Sequence, residues 1–385
     1  MILNKLIKNS SFALLGIIVL SCGPDQVGPN LKGASDDFDK NVDFHFYQDD
    51  DEDPNMKFNL HETSYFGTNT FNEEVSWTVT VTGYGSGSEA KISGLSDKLS
   101  QDNAEWLYGR SSNVYFFQRN EYVKCELKIV GLDTTYVVDS LKFQGEYRWT
   151  NKTINGVRHF VVDEFDSDDP IPTQGLSATS PDQVDNDVVI AVTDANKVEG
   201  SNSLAMSGED VNSNGWIGSR NHDRLLELAA CTDLSKMPID STTSPDDLYF
   251  NIFIYGDSDY PGTTVELKIY ENEDFDSLPY VDDLRNYALD ELNTLNSAQK
   301  AISDAWLYDI IVNWDGWKMV SVPYSAFRAT NNPLTGGNGN RIKEPGRISG
   351  IEASLLSFPT AGLEVKTYID FLTFTQGGRP QFKLQ

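Results

Sequence analysis

Hydrophobic and polar residues alternate in short runs along most of this chain, with a period of two. In "VSWTVTVTGYGSG", Val75, Trp77, Val79 and Val81 fall on one face before a Gly/Ser turn stops the run. "NVYFFQRNEYVKCELKIVGLD" supplies two further strands joined by the polar Gln118–Glu121 segment, and "TTYVVDSLKFQGEY" supplies another. Downstream, the strand pattern recurs in "DVVIAVTD", "DLYFNIFIYGD", "TTVELKIYE", "YDIIVNW", "WKMVSVPY", "RISGIEASLLS" and "EVKTYIDFLTFTQ". Val265, Leu267 and Ile269 alternate there, as do Tyr368, Asp370 and Leu372. The expected fold is all-β: a small sandwich over residues 41–155, then a larger β-sandwich jelly roll over 156–385.

One segment carries the other period. Leu284, Tyr287, Ala288, Glu291, Leu292, Leu295, Ala298 and Ile302 recur at helical spacing, which predicts a helical insertion over 281–303. A connection that long in a compact domain is usually functional or stabilising.

The first residues do not belong to either sandwich. Lys5 and Lys8 precede a short apolar run from Phe12 to Leu20, which reads as a signal peptide over 1–21 and is too short to span a bilayer. Val-Leu-Ser-Cys resembles a bacterial lipobox, so Cys22 is the expected lipidation site. The Gly/Pro/Asp-rich stretch 22–40 is expected to be a flexible tether, and "SDDFD" at Ser35–Asp39 looks like an acidic surface-export signal.

Charge narrows the partners. The net charge is −28, and losing the two lysines of residues 1–21 makes it −30. Such a surface repels nucleic acid and anionic lipid headgroups. Acidic runs such as Asp49–Asp53 and Asp163–Asp169 serve solubility first, with Ca²⁺ binding as the alternative use. Cys125 and Cys231 sit in apolar settings and are expected to be buried free thiols.

Catalysis finds little footing. The four histidines, His45, His61, His159 and His222, are scattered, and there is no Gly-x-Ser-x-Gly and no phosphate loop. The expectation is a binding protein and not an enzyme.

Flat aromatic faces beside fixed polar groups are what a sugar ring needs. Trp216 in "NSNGWIGSRNHD" has Arg220, Asn221 and His222 close in sequence, and Trp306 and Tyr308 alternate in "DAWLYDIIV". Tyr255 and Tyr260 lie in the turn "IYGDSDYPG". In "VNWDGWKMVSVPYSAF", Trp317, Met319, Ser321 and Pro323 share one strand face. Trp317 is read there as core, and Trp314, in the Asn-Trp-Asp-Gly turn, as a ligand contact. Trp216, Arg220, Trp306, Tyr308, Trp314 and Tyr255 are therefore the candidate carbohydrate contacts.

Two resemblances add to this reading. "SWTVTVTGYGSGSEAKISGLS…AEWLYG…VYFFQRNEYVKCEL" resembles the PKD-like, immunoglobulin-type modules of Bacteroidota surface lipoproteins, although Trp106 is followed by Leu-Tyr-Gly rather than directly by Gly. "VVDEFD", "EGSNSLAMSG", "DLYFNIFIYGD", "WDGWKMVSVPYSAF" and "TYIDFLTF", in that order, resemble the galactose-binding-like jelly roll of carbohydrate-binding modules. That resemblance implies a structural Ca²⁺ between opening and closing strands, with Asp163, Glu164 and Asp370 at the matching places. An acid such as Asp370 on an apolar-rich strand needs a cation or several donors if it is buried.

Together the two imply a cell-surface lipoprotein of the outer membrane that binds a polysaccharide and supplies it to a glycan importer complex. The alternative is a structural or assembly lipoprotein of the cell envelope, using its sandwiches for protein–protein contacts.

Overall fold

The structure, a computed structural model, describes residues 31–383 apart from 37, 39, 43, 49–56, 60–62, 67–68, 101, 108, 145–152, 167–175, 178–188, 210–214, 223–238, 273–302, 331–340 and 359–362. Among the described residues, fourteen strands reach five residues or more. They are β1 (Asn69–Gly83), β2 (Glu89–Leu99), β3 (Tyr122–Ile129), β4 (Thr135–Gln144), β5 (Val157–Asp163), β6 (Val189–Thr193) and β7 (Ser203–Glu209). The remainder are β8 (Trp216–His222), β9 (Leu248–Gly256), β10 (Thr263–Asn272), β11 (Ser303–Ile311), β12 (Gly316–Pro323), β13 (Ile348–Ser357) and β14 (Glu364–Gln376). The protein is all-β and its sheets are antiparallel apart from the parallel pairing of Lys57–Asn59 with β4.

Alternation decides the N-terminal core. Val75, Trp77, Val79 and Val81 of β1 are all buried, and β1 pairs with β2 and β3 while β3 pairs with β4. A three-stranded sheet of Phe46–Gln48, Thr63–Phe66 and Glu105–Leu107 brings Phe66 and Trp106 to the same core. Gly94 lies opposite Trp77 because the indole fills the space of its side chain: a Cβ there would stand 2.4 Å from a ring carbon.

The tether ends earlier than composition suggests. The Lys32 amide donates to Ser76 Oγ at 2.9 Å, and the Ala34 amide donates to the Val130 carbonyl at 2.8 Å. Phe38 meets Phe71 at 5.5 Å between ring centres. Backbone pairing, invisible to a composition argument, thus extends the first sandwich back to Lys32.

In the second unit β14 is the central strand. It pairs with β9 along one edge, and with β5 and then β7 along the other. β12 lies beyond β9, and β6 lies beyond β7. The opposing sheet runs β8-β13-β10-β11. Phe250, Ile252, Ile254, Ile369, Leu372 and Phe374 from the first sheet pack against Val265, Leu267, Ile269, Ile351, Ala353 and Leu355 from the second. Each such buried Ile, Leu, Val or Phe side chain contributes about 1.5–3 kcal/mol. The predicted helical insertion, 281–303, lies outside the described residues apart from Ser303, which pairs with Asn272 across β10 and β11.

Register on the outer face of the first sheet lays side chains in rows. Tyr368, Tyr255 and Trp317 make one row, and Asp370, Phe253 and Met319 the next. Thr373, Asn251 and Ser321 follow after a register shift. Phe371, at φ 49°, marks the irregularity, a bulge conformation rarely adopted by a bulky side chain.

Candidate functional site

Part of this outer face is sealed. Phe253 and Phe371 pack with Phe116 of the N-terminal unit at 5.5 and 5.1 Å, and Phe382 lies 5.2 Å from Phe371. Ile154 and Val198 complete the cluster. Asn251, Thr373 and Thr375 are also fully buried, and their polar atoms bond one another, with Asn251 Nδ2 3.2 Å from Thr375 Oγ1.

The neighbouring row is open. Tyr255 meets Trp317 edge-on at 5.6 Å and Tyr368 edge-on at 5.8 Å. All three rings are half-buried. The Trp317 indole N–H donates to Asn196 Oδ1 at 2.9 Å, which fixes the ring. The Lys366 ammonium stands 5.6 Å from the Tyr368 ring centre and 5.7 Å from that of Tyr260, a cation–π arrangement. A shallow cavity of about 300 Å³ is lined by Ala195, Asn196, Tyr255, Asp257, Lys366 and Tyr368. Its lining offers two tyrosine rings set nearly perpendicular to one another, rimmed by one amide, one carboxylate and one ammonium.

Of the residues expected from sequence, Tyr255 stands in this cavity. Trp317, expected in the core, lies on the outer face instead, because Val320 and Val322 are the residues of β12 that turn toward the core. Trp314 is half-buried rather than open: it packs against the core, its indole N–H reaches the Ile254 carbonyl at 3.4 Å, and Lys318 caps the ring at 4.6 Å. Trp306 is buried within the sandwich and cannot stack on a ligand. Tyr308 is half-buried against the same core and meets Phe327 at 5.5 Å. The backbones of Trp216 and Arg220 pair with Leu356 and Ala353 across β8 and β13, and their side chains lie outside the described residues.

Trp306 is held by a buried acid. Glu271 accepts hydrogen bonds from the Trp306 indole at 2.9 Å, the Tyr324 hydroxyl at 2.5 Å and the Glu344 amide at 2.5 Å. Burial pushes its carboxyl up to about 7 against the pull of those three donors. Three donors from three separate segments converge on it, so this buried carboxyl ties the segments together.

The acids of the expected Ca²⁺ site have separate engagements. Asp163 Oδ1 accepts the Phe165 amide at 2.7 Å; the neighbouring Asp166, outside the expected set of Asp163, Glu164 and Asp370, accepts the amides of Ser201 and Asn202. Asp370 is fully buried; its Oδ2 accepts the amides of Val198 and Glu199 at 2.8 and 3.1 Å, while its Oδ1 finds no partner among the described residues. Oε2 of Glu199 is likewise buried without a partner, although the residue as a whole is only half-buried. Burial pushes both carboxyls well above the usual carboxylate range. Among the described residues no group of three or more His, Cys, Asp or Glu side chains is arranged to hold a metal ion. The two orphaned oxygens call for protons or a small cation.

Sequence reasoning missed Tyr368, Lys366, Asn196 and Glu199. Alternation along "EVKTYID" puts Lys366, Tyr368 and Asp370 on one face, and that signal was available. Asn196 and Glu199 lie in a loop, where no periodicity operates. Cys125 is a buried free thiol whose ionisation burial opposes, and Cys22 and Cys231 lie outside the described residues.

No family model matches the chain, and no curated protein matches it. Among solved structures, the chain is similar to a family 11 carbohydrate-binding module from Clostridium thermocellum in complex with a β-1,3-1,4-mixed-linked tetrasaccharide. The identity is 13%, over 50% of this chain and 83% of that one, with a TM-score of 0.29. A family 30 carbohydrate-binding module is similar at 11% identity over 51% and 78% of the two chains, TM-score 0.29. A carbohydrate-binding module of the β-sandwich superfamily is similar at 11% over 88% and 97%, TM-score 0.28. Likenesses this distant do not assign the chain to a family.

Proposed function

We propose that this chain is a non-catalytic lipoprotein that captures a polysaccharide on the open row of Trp317, Tyr255 and Tyr368. The observation that carries the reading is that row itself. Tyr255 and Tyr368 line a shallow cavity with Asn196, Asp257 and Lys366, and Trp317 stands beside Tyr255 in the same row, all three rings half-buried on the sheet. An elongated ligand can lie across such a surface, stacking its ring C–H groups on the aromatic faces while hydroxyls reach the amide, carboxylate and ammonium. In this reading lipidation at Cys22 anchors the protein at the outer membrane, facing the exterior, where capture supplies an importer complex.

Affinity electrophoresis of the mature chain on a panel of polysaccharides tests it, with Tyr255→Ala and Trp317→Ala run beside the wild type. The expected result is retardation by one glycan class that both variants lose while remaining folded. Retardation unchanged by either substitution removes the site, and no retardation on a broad panel removes the function.

A further inference from the structure

The chain turns back on itself after β14. Gly377 and Gly378 take φ of 92° and 147°, values open to glycine. Thr375 Oγ1 donates to the Gly378 carbonyl at 2.8 Å, and the Gln381 amide donates to Nε2 of the buried His159 at 2.9 Å. Phe382 then enters the sealed cluster, 4.9 Å from the His159 ring and 6.0 Å from Phe116. Residues 377–383 therefore lie as a strap over the outer face of their own sheet.

The strap ends in the N-terminal unit. Lys383 Nζ donates to Ser111 Oγ at 2.8 Å, the Val114 carbonyl at 2.9 Å and the Tyr115 carbonyl at 3.0 Å. Three acceptors use all three N–H bonds of an ammonium. The same nitrogen stands 3.4 Å from the centre of the Phe116 ring, and Ser111 and Lys383 form a parallel β-bridge.

Loop 111–118 also holds the wall of the open cavity. The Phe116 amide donates to the Val198 carbonyl at 2.9 Å, and Gln118 Nε2 to the Gly200 carbonyl at 3.1 Å. The segment thus held, 194–202, carries Asn196. Its carbonyl accepts the Ser203 hydroxyl, and its side chain accepts the Trp317 indole. Contacts run without a break from Lys383 through loop 111–118 and Val198 to Asn196 and Trp317.

We infer that the strap locks the N-terminal unit onto the jelly roll as one body, and that through segment 194–202 this unit positions Asn196 and Trp317. The N-terminal sandwich is then part of the binding site and not a spacer. The positioning half rests on the polysaccharide reading; the lock does not.

Three variants of the mature chain test it: Lys383→Met, Phe116→Ala and Asn196→Ala. Amide hydrogen exchange reads the joint, and affinity electrophoresis reads the site. Lys383→Met and Phe116→Ala should speed exchange at least tenfold in both 111–118 and 194–202 and weaken glycan retention, with β1 and β10 still protected. Asn196→Ala should weaken retention and leave 111–118 unchanged. Unaltered exchange in Lys383→Met, the gentler of the two joint variants, overturns the lock. Faster exchange with undiminished retention overturns the positioning role. If wild type is retained by no glycan, the polysaccharide reading fails, while exchange still decides the lock.

Discussion

Aromatic residues stand at both ends of one sheet face, and neighbours from elsewhere in the chain give them opposite fates. Tyr255 and Phe253 are two residues apart on β9 and point the same way. Phe253 is 1% exposed because Phe116, Phe371 and Phe382 cover it, whereas Tyr255 is only half-buried beside Tyr368 and Trp317. The covered rings are phenylalanines, with no polar group to satisfy. The open ones are tyrosines and a tryptophan, which present an apolar face and keep a polar handle for water or ligand. Residue choice follows cover, which is why the open row reads as a surface kept for something else.

Substitutions can break or sharpen that contrast. Phe253→Ala should have the largest effect, a loss of about 3–5 kcal/mol of unfolding free energy, because a cavity opens where two units meet. Denaturant titration of the full chain checks it; a loss near that of an exposed site would mean the cluster is loosely packed.

The sealed half should also respond to pH. Folding raises the Asp370 and Glu199 carboxyls, chiefly by burial. The unfolded chain therefore releases these protons first as pH rises. Stability is full below the unfolded carboxyl range and falls as pH climbs toward the folded values. The part of the melting temperature that these two carboxyls supply should fall between pH 4 and pH 8, offset in part by Lys383, whose ammonium is disfavoured by burial, and Asp370→Asn should make the net slope less negative. Melts repeated with Ca²⁺ and with EGTA separate the alternatives. A wild-type chain that Ca²⁺ stabilises and Asp370→Asn does not would put a cation, not protons, on the orphaned oxygens.

The open half should be nearly silent in stability and loud in binding. Tyr255→Ala should cost about 1 kcal/mol or less in unfolding, as near-surface changes do, yet weaken glycan retention about tenfold or more by removing the central ring. The smallest expected effect is Tyr368→Phe, which keeps the ring and removes one hydroxyl. Its loss should be about fivefold, in line with about 1 kcal/mol for a single neutral hydrogen bond. Equal effects of these two changes would show that hydroxyl contacts, not stacking, dominate.

Sequence pattern conveyed which residues share a face, and much less about which faces are covered. Alternation placed Trp317, Met319, Ser321 and Pro323 together on β12 and Trp306 with Tyr308 on β11, as the structure has them. It did not say which side faced the core: Trp317 is outside and Trp306 inside, the reverse of expectation. Cover on the outer face comes from Phe116 and Phe382, whose proximity to Phe253 no local period encodes. Asn196 and Glu199 were illegible for the same reason, since a loop residue acquires its role from whatever the sheet register brings beside it. The pairing of Lys32 with Ser76 shows the converse: a Gly/Pro-rich composition hid a stretch that backbone hydrogen bonds hold in place.

The strap also constrains the order in which the molecule can assemble. The contact between Lys383 and Ser111 closes a sequence separation of 272 residues, and every strand of the jelly roll lies between them. Long-range contacts of that kind form late, after the elements that they join. The N-terminal sandwich has its own core and can complete it early, but Phe116 then waits uncovered until β14 is in place and the chain has turned at Gly377. During that interval an exposed phenylalanine edge is open to other chains, as transiently exposed apolar surface is in folding intermediates. The joint is therefore the step at which a damaged strand anywhere in the second unit would be felt, by leaving the first unit's apolar edge without its lid.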